Sequence, residues 1–214
     1  FITTDCAIEG PVLQELLRTV VGKTFNRITV DGDTSTNDTC LVLANGQAGN
    51  APISGPGADY DAFSAALRAV CEYEAKGIAG DGEGCGRLVT CTVQGAATEE
   101  QAETMAKAVV RSPLVKTAMF GADANWGRVL CAIGYSGAQF DPEAVEVRFL
   151  SEAGDLLVCV DGHGVPFSEE LAKKVLSEPA VTILVTLTEG EAACSCWGCD
   201  LTYDYVKING DYRT

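Results

Sequence analysis

The 214-residue sequence has no apolar run near the ~18 residues that a membrane-spanning helix requires. Its longest candidate, Val181 to Leu187, is strand-sized and interrupted by threonine. Basic residues are scarce: 15 Lys and Arg stand against 30 Asp and Glu, a formal charge of −15. Such a balance repels phosphate backbones and anionic bilayers, so neither nucleic acid nor a membrane is an expected partner. Histidine occurs once, as His163 in a DGHG turn; that leaves no His pair for zinc, a turn or surface residue is the expected reading over a ligand or base, and no Ser or Cys nucleophile with a nearby His supports a triad. GxSxG and HExxH segments are absent as well.

What is present is a chain with 47% hydrophobic residues, enough for a sizeable core. Its ten cysteines fall short of the density of small disulfide scaffolds. Cys40, Cys91, Cys131 and Cys159 sit inside apolar runs (TCLVLAN, LVTCTVQG, RVLCAIGY, LLVCVDG), where a thiol serves as a small buried hydrophobe, and a reducing cytoplasm is the expected setting.

Helix and strand patterns alternate along what reads as one folding unit of the α/β (α+β) class. Pro11 suits the first turn of a helix that Gly22 is expected to stop. Asp59 is placed to cap a helix with Phe63, Ala66, Leu67, Val70 and Cys71 on one face. Thr98 opens a TEEQ capping box, with the helix running towards Arg111, and Ser168 caps another helix. Strands are expected over Arg27 to Val30, Thr39 to Ala44, Arg87 to Val93, Val129 to Tyr135 and Val181 to Leu187. A hairpin is expected from Ala144 to Val160 around the turn at Glu152 to Asp155. Residues 46–58, rich in Gly and Pro, read as a surface loop.

Four segments carry candidate chemistry. Asp31 to Asp38 (DGDTSTND) begins like a calcium loop, but Thr36 and Val42 stand where an EF-hand needs Gly and Glu. GDGEGCG, Gly80 to Gly86, has the glycine density of a phosphate cradle without the Lys-Ser/Thr of a P-loop. A carboxylate between glycines suits an amine better, with Glu83 supplying the opposite charge. CSCWGC, Cys194 to Cys199, resembles half of a zinc site and lacks the other ligands. GADANWGR, Gly121 to Arg128, fits either a hydrogen-bonded corner or the edge of a small-molecule pocket.

Taken in order, FITTD (Phe1 to Asp5), FNRITVDGDTSTNDT (Phe25 to Thr39), DGEG (Asp81 to Gly84), SPLVKTAMFGADANWGR (Ser112 to Arg128) and WGCDLTYDYVKINGDYRT (Trp197 to Thr214) closely resemble the β chain of the ornithine acetyltransferase family. The resemblance covers essentially the whole sequence. It implies a layered αββα-type sandwich of the ornithine acetyltransferase/DmpA-like superfamily, cut from a precursor and completed by a separate α chain in an α2β2 assembly. Family members cut themselves just before a threonine whose freed hydroxyl becomes the nucleophile, and FITTD follows that cut by about four residues. The expectation is therefore that the nucleophile lies just upstream of Phe1 and that this chain holds no catalytic residue; Thr3 and Thr4 match the family's FITTD instead.

The same resemblance implies transfer of acetyl from N2-acetylornithine to glutamate in arginine biosynthesis, with no cofactor and with acetyl-CoA open as a co-substrate. It assigns Glu83 to the substrate amino group, and Asn209 and Thr214 to the amino-acid end. No metal is expected. Two alternatives stand beside this reading: an N-terminal-nucleophile amidohydrolase or aminopeptidase of the same fold, in which water is the acceptor, and a non-enzymatic metal-binding protein centred on CSCWGC.

Overall fold

The computed structural model describes residues 1–212. They divide into two compact units, where the sequence reads as one: Phe1–Asn26 with Asp33–Ala75, and Arg27–Gly32 with the chain from Lys76 onward.

In the first unit, strand β1 (Ile2–Thr4) pairs in parallel with β2 (Val42–Ala44), Ile2 opposite Val42. Helix α1 (Gly10–Lys23) has Pro11 in its first turn. Gly22 does not end it, because an interior glycine costs only about 1 kcal/mol against alanine and packing of the apolar face outweighs that. Leu16 and Val20 bury that face against Leu67 and Cys71 of helix α2 (Ala58–Gly80), with Ile2, Phe25, Val42, Tyr60 and Phe63 around them. The inward stripe of α2 in this unit is therefore half-buried Phe63 followed by buried Leu67, Cys71 and Ala75, at a spacing of four; Ala66 and Val70, expected on the same face, are exposed. The last turn of α2 belongs to the second unit.

The second unit is built on a six-stranded sheet. Its strands are β3 (Leu88–Ala96), β4 (Glu146–Ser151), β5 (Gly154–Val160), β6 (His163–Gly164), β7 (Ala180–Thr186) and β8 (Ala192–Cys199), in the spatial order β6-β5-β4-β7-β3-β8. Only β3 and β7 run parallel. Strand alternation turns Val89, Cys91, Val93, Val147, Phe149, Val181, Ile183, Val185, Cys194 and Cys196 into one buried cluster, shared with helices α3 (Glu99–Arg111), α4 (Pro113–Gly121), α5 (Trp126–Gly134) and α6 (Glu169–Leu176). The opposite face carries Thr90, Thr92, Thr182, Leu184, Thr186 and Ser195, all half-buried. One sheet with a helical layer on one face is a mixed α/β architecture, as expected.

Several elements form where capping predicts. The Thr98 side chain accepts the Gln101 amide and the Ser168 side chain the Leu171 amide. Others differ. The run Val129 to Tyr135 is not a strand but most of α5: Asn125 caps it by accepting from the Arg128 amide at 3.1 Å, and Val129, Ala132 and Ile133 are buried at helical spacing. Cys131 lies on its exposed side and is not a core residue. A short continuous apolar run does not distinguish the two periods, and the cap decides. Arg27 to Val30 forms no strand either: Phe25–Arg27 is a turn of 3-10 helix, and Ile28 makes a single parallel bridge to Trp197. Helix α7 (Tyr203–Asp211), capped by Thr202 on the Asp204 amide, closes the described chain.

Candidate functional site

The Asp81 to Gly86 loop joins the end of α2 to β3, and its glycines are set by what lies beneath them. A Cβ on Gly82 would stand 2.8 Å from Val30 Cγ1 and 3.0 Å from Cys199 Sγ. Gly84 adopts φ +67°, and a Cβ there would stand 2.7 Å from Asp204 Cβ and 2.8 Å from the Tyr205 nitrogen. No other residue tolerates both the left-handed backbone and that approach. The loop is thus laid backbone-first onto the segment Cys199 to Tyr205, and Glu83 is left exposed between the two seated glycines.

Directed hydrogen bonds hold the seating. Thr202 Oγ1 donates to the Gly84 carbonyl at 2.6 Å. Asp200, only 2% exposed, accepts from the Gly86 amide at 2.7 Å and the Arg87 amide at 3.1 Å through Oδ1, and from Arg87 Nη1 at 3.3 Å through Oδ2. Arg87 Nη1 also donates to the Met119 and Phe120 carbonyls at the end of α4, where orphan carbonyls favour a cation. Nearby, buried Lys116 donates from Nζ to the Cys199 carbonyl, with the Cys199 sulfur 3.4 Å away. Burial pushes the Cys199 thiol up, and the Lys116 ammonium opposes that shift without cancelling it. Burial likewise raises Cys85, which donates to the Gly80 carbonyl at 2.9 Å.

Asn209 lies on α7, two turns beyond this seat; it is exposed, and its Nδ2 donates to the Tyr205 carbonyl at 3.0 Å. Tyr205 itself donates from its hydroxyl to Asp31 Oδ2 at 3.0 Å, so Asp31 of the acidic loop also touches α7. Thr214, the third residue assigned to substrate, lies outside the described residues. The structure therefore brings the Glu83 loop onto the root of the helix that carries Asn209. Asp200, Thr202 and Arg87 were not singled out by sequence reasoning. The one local hint was the buried-looking WGCDLT run, since a carboxylate directly after apolar residues needs buried donors.

The remaining candidates separate from this site. NWGR forms a corner: Asn125 Nδ2 donates to Asp123 Oδ2 at 3.0 Å, and Arg128 Nη1 donates to the Leu114 carbonyl at 2.9 Å. His163 is exposed and bonds the Asp161 carbonyl within its own turn. In CSCWGC, strand alternation sends Cys194 and Cys196 to the α3 side and Cys199 to the loop seat. The Cys196 side chain and the Arg27 guanidinium hold the Cys194 thiol below its usual value, while Cys196 is pushed up by the same hydrogen bond and by burial. Arg27, itself buried, pairs with Glu99 at 2.7 Å and Glu103 at 2.9 Å. Among the described residues no group of three or more His, Cys, Asp or Glu is arranged to hold a metal ion. No helix among them is long and apolar enough to cross a membrane.

Comparison with known proteins gives these features a context. The ArgJ family model matches residues 1–214. The arginine biosynthesis bifunctional protein ArgJ of Symbiobacterium thermophilum is 54% identical over all of this chain and 52% of its own length. Its namesake from Caldanaerobacter subterraneus subsp. tengcongensis is 49% identical over all of this chain and 53% of its own length. The crystal structure of the arginine biosynthesis bifunctional protein argJ from Bacillus halodurans superposes with a TM-score of 0.93 at 45% identity, covering 99% of this chain and 98% of that one. The chain spans about half the length of the curated relatives it matches. A family model matched from first residue to last and a shared fold at this identity leave one reading of the ancestry: the chain belongs to the ArgJ family.

Proposed function

We propose that this chain is the β chain of a glutamate N-acetyltransferase that moves acetyl from N2-acetylornithine to glutamate by a ping-pong route. A threonine just upstream of Phe1 attacks the acetyl carbonyl carbon through its hydroxyl oxygen, and its own α-amine takes the hydroxyl proton. The amide C–N bond breaks, ornithine leaves with that proton on its α-nitrogen, and an acetyl-threonine ester remains. The α-amine of glutamate then attacks the ester, acetylglutamate departs, and the threonine hydroxyl is restored. Glu83 binds the substrate amino group by charge, while Asn209 and Thr214 bind the amino-acid end. The oxyanion donors come from an α chain of the same precursor, paired as α2β2.

The observation that carries this reading is the loop seat, which gives an exposed carboxylate a rigid base beside α7. Rigid placement is what a two-substrate site requires, since reactive alignment accounts for much of such a rate. Ten free cysteines suit a cytoplasmic enzyme. The description of the relatives as bifunctional supports acetyl-CoA as a second acetyl donor. The deciding experiment incubates the two-chain enzyme with N2-acetylornithine, with and without glutamate. Acetylglutamate forming in step with ornithine release supports transfer; release at the same rate without glutamate means that water is the acceptor and ends the proposal.

A further inference from the structure

We infer that Asp200 and Thr202 are positioning residues that fix the distance between Glu83 and Asn209, and so set the length of amino-acid side chain the donor site accepts. The inference rests on the reading of Glu83 and Asn209 as substrate contacts.

Asp200 and Thr202 immediately precede α7, the helix on which Asn209 stands. Both reach back to the Glu83 loop: Thr202 to Gly84, one residue after Glu83, and Asp200 to Gly86 and Arg87. The return bond from the Asp200 amide to the Arg87 carbonyl, at 3.3 Å, completes the clamp. The carboxylate side chain is fully buried, so water cannot replace the donors it gathers from the loop. Gly86 has no slack either, since a Cβ there would stand 3.2 Å from Asp200 Oδ2. The clamp therefore ties the backbone at Gly84, Gly86 and Arg87 to the segment that opens α7, and with it the separation of the backbone positions that carry Glu83 and Asn209.

A span of this kind acts as a ruler. The donor carries a second amine at the end of its side chain, held by Glu83, and an amino-acid end held by Asn209. A chain one methylene longer or shorter misplaces one of the two, and a misplacement of about 1 Å costs on the order of 100-fold in rate. Glutamate has no second amine, so the acceptor half of the reaction is insensitive to the ruler.

The test compares kcat/KM of the two-chain enzyme for N2-acetylornithine and N2-acetyllysine, with glutamate as acceptor. In Asp200→Asn the preference for the ornithine donor falls at least about 5-fold, against a discrimination of ~10 to 200 for one methylene, and KM for glutamate stays within about twofold. Thr202→Val loses preference in the same direction and Thr202→Ser restores it; this pair carries the test if Asp200→Asn does not fold, as judged by circular dichroism. An equal loss for both donors, or an unchanged preference in both variants, overturns the inference. Glu83→Gln separates it from the reading beneath: an unchanged kcat/KM for N2-acetylornithine in that variant removes the amine contact and the ruler together. A collapse there with preference intact in Asp200→Asn and Thr202→Val removes the ruler alone.

Discussion

Gly84 combines a left-handed backbone with a van der Waals approach closer than any Cβ allows, so it is the residue at which the site is most easily broken. Gly84→Ala adds left-handed strain and an overpacked contact, together about 2 to 4 kcal/mol, and lifts the Glu83 loop from its seat. Urea unfolding should show that loss, and KM for the acetyl donor should rise by more than KM for glutamate; a variant of native stability would show that the loop adapts. Cys71 offers a second single-residue test. Burial, then the neighbouring Cys40 and Glu74, push its thiol from 9.0 up to about 11. The neutral thiol is the folded form, so its contribution is complete below pH 9 and is lost as pH rises towards 11, where the unfolded chain has already released its proton. The native protein should lose stability across that window, and Cys71→Ala should lose less of it, as read from urea midpoints at pH 8 and pH 11. Equal losses in both would assign the decline to other groups.

At the scale of elements, caps separate what local sequence specifies from what it leaves open. Thr98 and Ser168 were legible because the acceptor and the amide it satisfies are three residues apart. Asn125 follows the same rule, yet α5 reads as a strand because valine, leucine, cysteine and isoleucine fill both faces of the run. Asn125→Ala removes the α5 cap and the bond to Asp123, and should cost about 1 to 2 kcal/mol. A Thr or Ser at that position should recover most of it, and chemical denaturation of the three variants checks the order. The site elements were legible only in part. Glu83 and Asn209 stand in motifs that resemblance identifies, but their common support does not, because Asp200 meets Gly86 across 114 residues of sequence. No window of local pattern spans that separation.

For the whole molecule, the excess of acidic groups has a physical consequence independent of the site. A formal charge of −15 repels itself in the compact state, and raising salt from 0.1 to 1 M shortens the screening length from about 10 to about 3 Å. The thermal midpoint should therefore rise between 0.1 and 1 M sodium chloride; a fall would mean that pairs such as Arg27 with Glu99 and Glu103 outweigh the net repulsion. At this scale, too, the sheet leaves Thr90, Thr92, Thr182, Leu184, Thr186 and Ser195 half-buried on the face opposite its helical layer.

The order of residues by itself determined the family, the broad alternation of helices and strands, the helix starts at Pro11, Thr98 and Ser168 and the acidic surface, because each is carried by residue type and spacing within a few positions. Only the tertiary structure decided that Val129, Ala132 and Ile133 turn into the core while Cys131 stays outside it, and that Asp200 and Thr202 hold the Glu83 loop to α7. Those outcomes depend on which distant groups end up close enough to satisfy a buried hydrogen bond or exclude a Cβ, and that is fixed when the chain packs.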